Sequence, residues 1–579
     1  MSTGKTAIIE KWVFYLLSVC ILIIIFDLGF NTSPQLAYFL QYFYLGVFLM
    51  ADLVIVRRIF WDKSRNIRVR IVDIAILVMS GIAIWLLIVY FPVSMFVHPA
   101  VYVSLFLLFV RELSEYTIYY QRRYLNPAQL FIISFLLLIF LGTSLLMLPN
   151  ATQNGISLTD ALFTSTSAVC VTGLAVVDTG TYFTVLGQTI IVILIQLGGL
   201  GVMTFTSYFA YFFSGESSYE NQLILQDMVN ADKLGEVFGA LRKIIFLTLG
   251  IEFVGGVLIF FDLPDGYFPS TGSKLFFAFF HTISSFCNAG FSTLPNSLYQ
   301  EGFRYNYSLH LVVISLFVLG GIGFPILFNF MKYLRYQISN RLIPFSTNRE
   351  VIYKPWVLNI NTRIVLITTF LLLFVGTLLF YVLEYDNTLA EHNGFGKIVT
   401  AFFGAATPRT AGYNSVDTGA LKPQTIMIVL FLMWVGASPA STGGGIKTST
   451  LAVGTLNFFS VARGKDRVEV FRREISDMTI KRAFTAISLS LIVVGIATFF
   501  LVIFEPDKTL ISLAFETFSA FGTVGLSMGI TGKLSVASKL VLSVTMFIGR
   551  VSLLSIMIAV LRKVKNTQYR YPSESIVIN

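Results

Sequence analysis

Four short segments of this sequence have the residue types and spacing needed to bind a monovalent cation. Each is centred on a glycine, and the glycines follow one another at intervals of 113 to 122 residues. Glycine permits backbone torsions that aim successive carbonyl oxygens in one direction, and it leaves no side chain between them. Such carbonyl oxygens can replace the hydration shell of an ion. The predicted filter residues are Val171, Thr172, Gly173, Leu174, Asn288, Ala289, Gly290, Phe291, Thr410, Ala411, Gly412, Tyr413, Thr523, Val524, Gly525 and Leu526.

A short apolar stretch rich in Ser, Thr and Phe precedes each glycine segment. These stretches cover 159–170, 274–287, 395–408 and 509–521. All are shorter than the roughly 20 helical residues that cross a bilayer. We therefore expect re-entrant pore helices whose C-terminal dipole ends favour a cation. One copy alone would indicate only a tight glycine turn in a helical bundle, whereas four copies at one period favour a pore.

Longer apolar runs flank these stretches and predict the fold. The predicted spans are 128–148, 187–213, 240–261, 307–331, 359–384, 423–460, 483–504 and 538–561, with further apolar runs at 12–30, 36–56, 71–93 and 97–112. Non-helical backbone at membrane depth is tolerated only where protein buries it or where it lines a water-filled cavity. The prediction is an all-α polytopic membrane protein with four pseudo-symmetric helix–pore helix–filter–helix repeats around one pore, plus about four extra N-terminal helices.

The repeat divides the chain into five predicted regions. They are an N-terminal annex at 1–125 and repeats at 126–215, 216–335, 336–465 and 466–579, the last including a cytoplasmic tail. No annex helix carries basic residues at every third position, so a voltage sensor is not indicated. A packing or dimerisation role is the expectation for the annex.

Composition and charge place this chain in the bilayer. Hydrophobic residues make up 55% of it and charged residues 12%, against about 25% charged in soluble domains. The Lys and Arg residues concentrate in short stretches between alternate apolar runs, which predicts that both termini are cytoplasmic. The net charge of +10 is therefore attributed to topology, and no nucleic-acid partner is expected.

Enzymatic chemistry finds no support in the sequence. Cys20, Cys170 and Cys287 lack the paired spacing of a disulfide or zinc site. The four histidines form no metal-binding motif. We therefore predict no catalytic residue and no cofactor in this chain.

The third repeat differs from the others in a Gly-rich segment at 436–447. It contains one Pro and three consecutive Gly residues, which cost about 3 and 1 kcal/mol each in a helix. The helix is expected to break in mid-membrane and leave a flexible polar loop under the filter. An arginine in the last helix should face the pore interior near this loop, because a charge facing lipid is costly. The predicted gate residues are Ser438, Pro439, Ser441, Thr442, Gly443, Gly444, Gly445, Lys447 and Arg550.

Several runs together resemble the Trk/Ktr/HKT superfamily of potassium transporters, and in particular its bacterial membrane subunits of the TrkH/KtrB type. The resemblance covers roughly 125–565, whereas 1–125 departs from it. It rests on Asp160-Ala-Leu-Phe-Thr-Ser-Thr-Ser-Ala-Val-Cys-Val-Thr-Gly-Leu174, Ser285-Phe-Cys-Asn-Ala-Gly-Phe291, Thr407-Pro-Arg-Thr-Ala-Gly-Tyr413, Ser438-Pro-Ala-Ser-Thr-Gly-Gly-Gly-Ile-Lys-Thr448 and Ser519-Ala-Phe-Gly-Thr-Val-Gly-Leu526.

The resemblance implies potassium uptake with K⁺ held at the filter carbonyls, and a gate at the Gly-rich segment. It also implies a homodimer in the lipid of the plasma (bacterial inner) membrane, and a separate cytosolic regulator of the RCK/KTN type that binds nucleotide. Superfamily members with Ser at the first filter glycine are associated with sodium transport, so Gly173 favours potassium. We hypothesise that Gly173→Ser weakens K⁺ over Na⁺ selectivity. The alternatives are a sodium-conducting member of the superfamily or, less favoured, a secondary transporter for another solute.

Overall fold

The computed structural model describes residues 4–30, 33–61, 67–90, 97–117, 127–201, 237–264, 266–346, 357–552, 556–557 and 559. Within these ranges the chain is helical except for loops and one two-stranded hairpin. Six helices of this part are long and apolar enough to cross a bilayer, and a bent helix pair counts as a seventh. The predicted all-α polytopic membrane fold is confirmed.

The annex forms a helical bundle with its own apolar core. Its helices are α1 (Gly4–Gly29), α2 (Pro34–Trp61), α3 (Ile67–Tyr90) and α4 (Val97–Thr117). Leu17, Phe48, Leu87 and Leu105 belong to one buried cluster drawn only from these helices. The annex touches the first repeat at the C-terminal end of α1, where Asn150 Nδ2 donates to the Leu28 carbonyl at 3.2 Å.

The rest of the chain repeats one pattern of outer helix, pore helix and inner helix. The helices are α5 (Pro127–Leu146), α6 (Leu158–Val169), α7 (Val185–Leu200), α8 (Val237–Asp262), α9 (Thr271–Phe286), α10 (Tyr307–Ile322), α11 (Phe324–Ser346), α12 (Ile360–Glu384), α13 (Gly394–Ala406), α14 (Pro423–Trp434), α15 (Thr448–Ala462), α16 (Asp477–Phe504), α17 (Leu510–Gly522) and α18 (Val536–Val551). Strands β1 (Glu469–Val470) and β2 (Arg473–Glu474) pair between α15 and α16. The pore helices are α6, α9, α13 and α17. The side of the protein from which they enter is called the filter side below.

Each pore helix begins at a side-chain cap, which explains why these short segments are helical. The cap satisfies one of the free N–H groups in the first turn. Ser157 accepts from the backbone of Asp160, and Ser270 forms a reciprocal capping box with Ser273. The other two caps are Asn393 and Thr509.

Breaks in the inner helices are more numerous than the sequence indicated. The helix break predicted in the third repeat is present, and residues 435–447 between α14 and α15 are called the intramembrane loop below. The span predicted at 307–331 is bent, because α10 and α11 meet at 104°. In the fourth repeat α18 ends at Val551, and 553–555, 558 and 560–561 of the span predicted at 538–561 lie outside the described residues. The predicted span 187–213 stops being helical after Leu200, and 202–213 lies outside the described residues.

The breaks share one backbone feature. The residues that follow α7, α10 and α18 are Gly201, Gly323 and Ser552, with φ of 83°, 90° and 73°. A positive φ ends a right-handed helix, and glycine adopts it without a steric penalty. Three of the four inner helices therefore end at similar distances from their filter glycines, and the fourth ends at the intramembrane loop.

Candidate ion pathway

The four central glycines lie in a closed ring of close contacts. A methyl group placed on Gly173 would lie 2.2 Å from the carbonyl oxygen of Ala289 in the second repeat. The same holds from the second repeat to the third, from the third to the fourth and from the fourth back to the first. A methyl group placed on Gly290 would lie 2.8 Å from Ala411 O, one on Gly412 would lie 2.1 Å from Val524 O, and one on Gly525 would lie 2.3 Å from Thr172 O. A side chain at any of these positions would meet a neighbouring backbone, so replacing a glycine would force that neighbouring segment to move.

The backbone of each filter segment has the same alternation of torsions. The residue two positions before each glycine has positive φ, although none of these residues is glycine. The values are 58° at Val171, 62° at Asn288, 75° at Thr410 and 49° at Thr523, and the glycines lie between 67° and 95°. A non-glycine residue in this region costs about 1–3 kcal/mol, and such strain clusters at functional sites. Four equivalent strained residues indicate that the surrounding structure imposes this conformation.

Hydroxyl groups of the pore helices tie each filter segment to its own repeat. The amides of Gly173 and Gly525 donate to Ser167 Oγ at 3.0 Å and to Ser519 Oγ at 3.1 Å. In the second and third repeats the direction reverses. Ser284 donates to the Phe291 carbonyl at 2.7 Å, and Thr407 donates to the Tyr413 carbonyl at 2.8 Å. The Ser/Thr richness of these apolar stretches therefore serves to hold the filter backbone.

Two side-chain contacts join the second and third filter segments. Asn288 is satisfied with its Nδ2 donating to the Phe317 carbonyl at 2.9 Å and its Oδ1 accepting from Thr410 Oγ1 at 3.0 Å. Ser285 Oγ donates to the Tyr413 hydroxyl at 3.2 Å. These bonds fix the separation of two neighbouring segments of the ring.

Inner-helix glycines allow the pore helices to sit directly on the inner helices. A methyl group on Gly198, Gly320 or Gly549 would lie 2.0, 1.9 or 2.0 Å from the carbonyl oxygen of Val169, Phe286 or Phe521, at the C-terminal end of pore helix α6, α9 or α17. Gly436 holds the equivalent place in the third repeat. A methyl group on Gly436 would lie 2.1 Å from the carbonyl oxygen of Gly444, which belongs to the intramembrane loop. The loop therefore replaces a pore-helix contact that the other three repeats retain.

The intramembrane loop lies immediately beneath the filter segments. Gly444 N donates to Thr523 Oγ1 at 2.9 Å. A methyl group on Gly443 would lie 2.2 Å from Thr410 Oγ1, so the glycines let the loop approach two filter threonines. The loop also bonds to the second inner helix, with Ser438 N donating to the Gly321 carbonyl at 3.0 Å. The expectation of a flexible loop differs from this arrangement, in which the loop is largely buried and hydrogen-bonded.

All nine predicted gate residues lie in or against this loop. Arg550 donates to the Thr442 carbonyl within the loop and, at 2.6 Å, to the Gly198 carbonyl of α7. Lys447 Nζ donates to the Gly443 carbonyl at 2.7 Å. Within the described part of the chain, no carboxylate lies within ion-pair distance of Arg550. Arg550 beside the loop and Lys447 at the end of the loop thus both have backbone carbonyl partners.

Three buried carboxylates support the filter side and were assigned no role from the sequence. Glu516 of pore helix α17 accepts from Ser527 Oγ and Thr531 Oγ1, which follow the fourth filter segment. Glu384 accepts from Thr425, and Glu505 accepts from the Ser535 amide at 2.6 Å. Both therefore hold the start of an inner helix. A carboxylate at the end of a long apolar helix is the sequence signal that could have identified Glu384 and Glu505.

Two further polar side chains inside the bundle were also missed. Arg409, just before the third filter segment, is 9% exposed. Its Nε has no hydrogen-bond partner among the described residues, and it borders a cavity of about 20 Å³, enough for one water molecule. Glu252 of α8 accepts from Gln196 Nε2 at 3.0 Å. Arg409 lies within a quoted motif, and Glu252 is an acidic residue in an apolar span, so both were visible in the sequence.

Comparison with known proteins assigns this architecture to a family. The TrkH family, described as "Cation transport protein", matches residues 100–570. The chain is 39% identical over 449 residues to the Ktr system potassium uptake protein B of Bacillus subtilis, covering 77% of this chain and 95% of the relative. It is 35% identical over 467 residues to the potassium/sodium uptake protein NtpJ of Enterococcus hirae, covering 79% and 98%.

A solved structure has the same fold. The potassium transporter TrkH from Vibrio parahaemolyticus superposes with a TM-score of 0.60 at 16% identity, covering 86% of this chain and 99% of that one. The family match spans all four filter segments and the intramembrane loop. This multi-pass membrane protein belongs to the TrkH family of cation transport proteins and is a membrane subunit of the Trk/Ktr superfamily.

Proposed function

We propose that this protein takes up potassium ions through a selectivity filter formed by its four filter segments. The observation that carries the proposal is the closed ring in which each filter glycine contacts the carbonyl oxygen of the next repeat. Carbonyl oxygens converging on one axis replace the hydration shell of K⁺, and the C-terminal ends of four pore helices add partial negative charge. The chain performs transport rather than catalysis.

Potassium is favoured over sodium by the four glycines and by the names of relatives. Two relatives are called potassium uptake proteins of Ktr systems, from Bacillus subtilis and Vibrio alginolyticus. The relative called potassium/sodium uptake protein keeps a sodium-conducting function as the second candidate. The tight ring leaves little room for an organic solute.

The gate in this proposal is the intramembrane loop together with Arg550 and Lys447. In the arrangement described here, the loop fills the space beneath Thr410 and Thr523, and a cation beside it repels K⁺. Conduction requires the loop to move away. Deleting Gly443 to Gly445 should therefore raise ion flux.

Control of this gate is assigned to partner chains. We infer a homodimer and a cytosolic nucleotide-binding subunit of the RCK/KTN type, supported by relatives named as parts of Ktr systems. Both termini and the basic loops face the cytoplasm of the plasma (bacterial inner) membrane, as the distribution of Lys and Arg favours. The five regions predicted from the sequence are kept as the domain organisation.

The test is growth at low external potassium, with rubidium uptake, in cells that lack their own uptake systems. The chain is expressed alone and with candidate regulators. Wild type should restore growth, and Gly290→Ser should abolish the rescue, because its side chain would collide with Ala411 and Gly412. The matched control is Gly250→Ser in the same repeat, where an added methyl group meets nothing within 4 Å.

Rescue by wild type and Gly250→Ser but not by Gly290→Ser would establish a potassium pathway through the ring. Equal rescue by both variants at equal membrane expression would refute a pathway through these filter segments. Sodium uptake without rubidium uptake would select the sodium-conducting alternative.

A further inference from the structure

A long apolar groove lies on the membrane face of the third repeat. Its volume is about 650 Å³, and its walls are α12, α14, α15 and the hairpin between α15 and α16. Leu371, Met427 and Phe431 on its walls are 52%, 69% and 46% exposed. Volumes of about 300–1,000 Å³ are typical of ligand pockets. The groove is therefore open toward the bilayer and large enough for a ligand.

The groove contacts both helices that hold the intramembrane loop. Leu432 lies near the end of α14, and Leu451 lies in the first turn of α15. The loop is the 13-residue connection between these helices. Whatever fills the groove packs against both arms of the loop at once.

The hairpin closes the groove at the side opposite the filter side. Val470 pairs with Arg473, so Phe471 and Arg472 form a two-residue turn. Their φ values are 50° and 61°. Such turns favour Asn-Gly, and a bulky residue in this region costs about 1–3 kcal/mol. The strained turn directs Phe471 into the groove lining, while Arg472 is exposed beside it.

Positive charge surrounds this end of the groove. Residues 463–474 include five basic and three acidic side chains. Glu469 and Glu474 each lie within 4 Å of a basic neighbour. The guanidinium of Arg363, at the start of α12, stands 5.8 Å from the ring centre of Phe471. An apolar groove that ends at cationic side chains at the membrane boundary matches an acyl chain joined to a phosphate.

We propose that this groove binds the acyl chain of an anionic membrane phospholipid whose phosphate contacts Arg472, and that the lipid stabilises the conformation in which the intramembrane loop lies beneath the filter. The second part of this proposal, the effect of the lipid on the loop, rests on the gate proposed above. Because α14 and α15 both line the groove and hold the loop, moving the loop away would also displace the groove walls. A lipid that contacts both helices therefore binds the closed arrangement more tightly and shifts the population toward it. Anionic lipid should therefore lower ion flux in the absence of a regulator.

Lipid binding is tested first, by native mass spectrometry of the purified full-length protein with phosphatidylglycerol added. Leu371→Trp fills the groove and should abolish the bound-lipid adduct. The matched control is Leu378→Trp on the same helix, where the leucine is 54% exposed and does not line the groove. Arg472→Gln should weaken binding about fivefold, whereas Arg482→Gln, an exposed arginine on α16, should not.

Flux is tested in vesicles of phosphatidylcholine with increasing phosphatidylglycerol. Rubidium uptake by wild type should fall as the fraction of phosphatidylglycerol rises. Arg472→Gln should need about fivefold more phosphatidylglycerol for the same fall in uptake. Equal amounts of lipid adduct for Leu371→Trp and Leu378→Trp would overturn the lipid site. A shift of Leu371→Trp from dimer to monomer would also overturn it, because a second copy of the chain would then be the occupant of the groove. Uptake independent of the anionic fraction would overturn the coupling to the gate. Absence of uptake in all vesicles, with the adduct difference intact, would contradict the transport proposal and leave the lipid site supported.

Discussion

The annex and the pore region differ in the partners that they give to arginines inside the helical bundle. In the annex, Arg111 is fully buried and donates to Asp73 at 2.6 Å, and Arg58 donates to Glu112 at 2.9 Å. In the pore region, Arg550 donates to two backbone carbonyls. A carboxylate cancels the charge of its arginine, whereas a carbonyl satisfies hydrogen bonds and leaves the charge in place. The two annex arginines are therefore neutralised by their partners, whereas Arg550 keeps its charge beside the intramembrane loop.

The two regions also differ in their relation to the family. The family match begins at residue 100, so most of the annex lies outside it. Relatives that are covered over 95% and 98% of their length account for only 77% and 79% of this chain. The comparison suggests that the paired charges serve stability and that Arg550 serves transport. Each prediction below tests one side of this difference.

The largest expected effect is on the stability of the annex. Asp73→Asn removes a carboxylate from the buried pair and should lower the free energy of unfolding by about 3–5 kcal/mol. The measurement is a thermal unfolding series in detergent, followed by size-exclusion chromatography. Asp73→Leu combined with Arg111→Met should recover much of the loss, because replacing a whole buried pair by apolar residues of similar volume is often neutral. A double variant as unstable as the single one would contradict the pairing argument.

The second prediction concerns the unpaired cation. Arg550→Ala removes one hydrogen bond from a charged donor to the intramembrane loop and one to α7, each worth about 1.5–3 kcal/mol. Rubidium flux without a regulator should rise at least about tenfold, while the unfolding temperature changes less than in Asp73→Asn. Arg550→Lys keeps the charge, so its rubidium flux should lie between those of wild type and Arg550→Ala. Wild-type flux in Arg550→Ala would place the gate elsewhere.

The third prediction addresses the filter ring. Gly173→Ser forces a side chain toward Ala289 O at a φ of 90°, with a strain of about 1–3 kcal/mol. The preference for K⁺ over Na⁺ should fall about 5- to 150-fold. It is measured as the concentration of Na⁺ that competes with rubidium uptake. Unchanged competition would show that the ring does not select the ion.

The smallest effect is expected at a partly exposed ion pair. Lys539 of α18 donates to Asp160 at 2.7 Å, and these side chains are 12% and 23% exposed. Partly solvated pairs are worth at most about 1 kcal/mol. Lys539→Ala should therefore leave growth at low potassium unchanged and shift thermal unfolding only slightly. A loss of transport would show that this link positions pore helix α6.

Much of the architecture could be predicted because it depends on local pattern. The number of annex helices and the position of each pore helix follow from runs of apolar residues and from glycine spacing. The predicted pore helix 509–521 differs from α17 by one residue at each end. The breaks at Gly323 and Ser552 could not be predicted with the same reliability. A glycine such as Gly323 permits a bend without fixing its angle, and nothing local marks Ser552 as a helix end.

The sequence by itself determined that this chain is a polytopic membrane protein with four filter segments, because composition and the spacing of glycines are properties of the chain. Only the tertiary structure decided which carbonyl each glycine contacts and that Arg550 bonds to Thr442, 108 residues away along the chain. It also decided that the intramembrane loop packs under two filter threonines and that α12, α14, α15 and the hairpin enclose a groove. The physical reason is that contacts between distant segments depend on how the repeats close around one axis. That closure depends on shape and backbone torsion across all four repeats and not on any one stretch of residues.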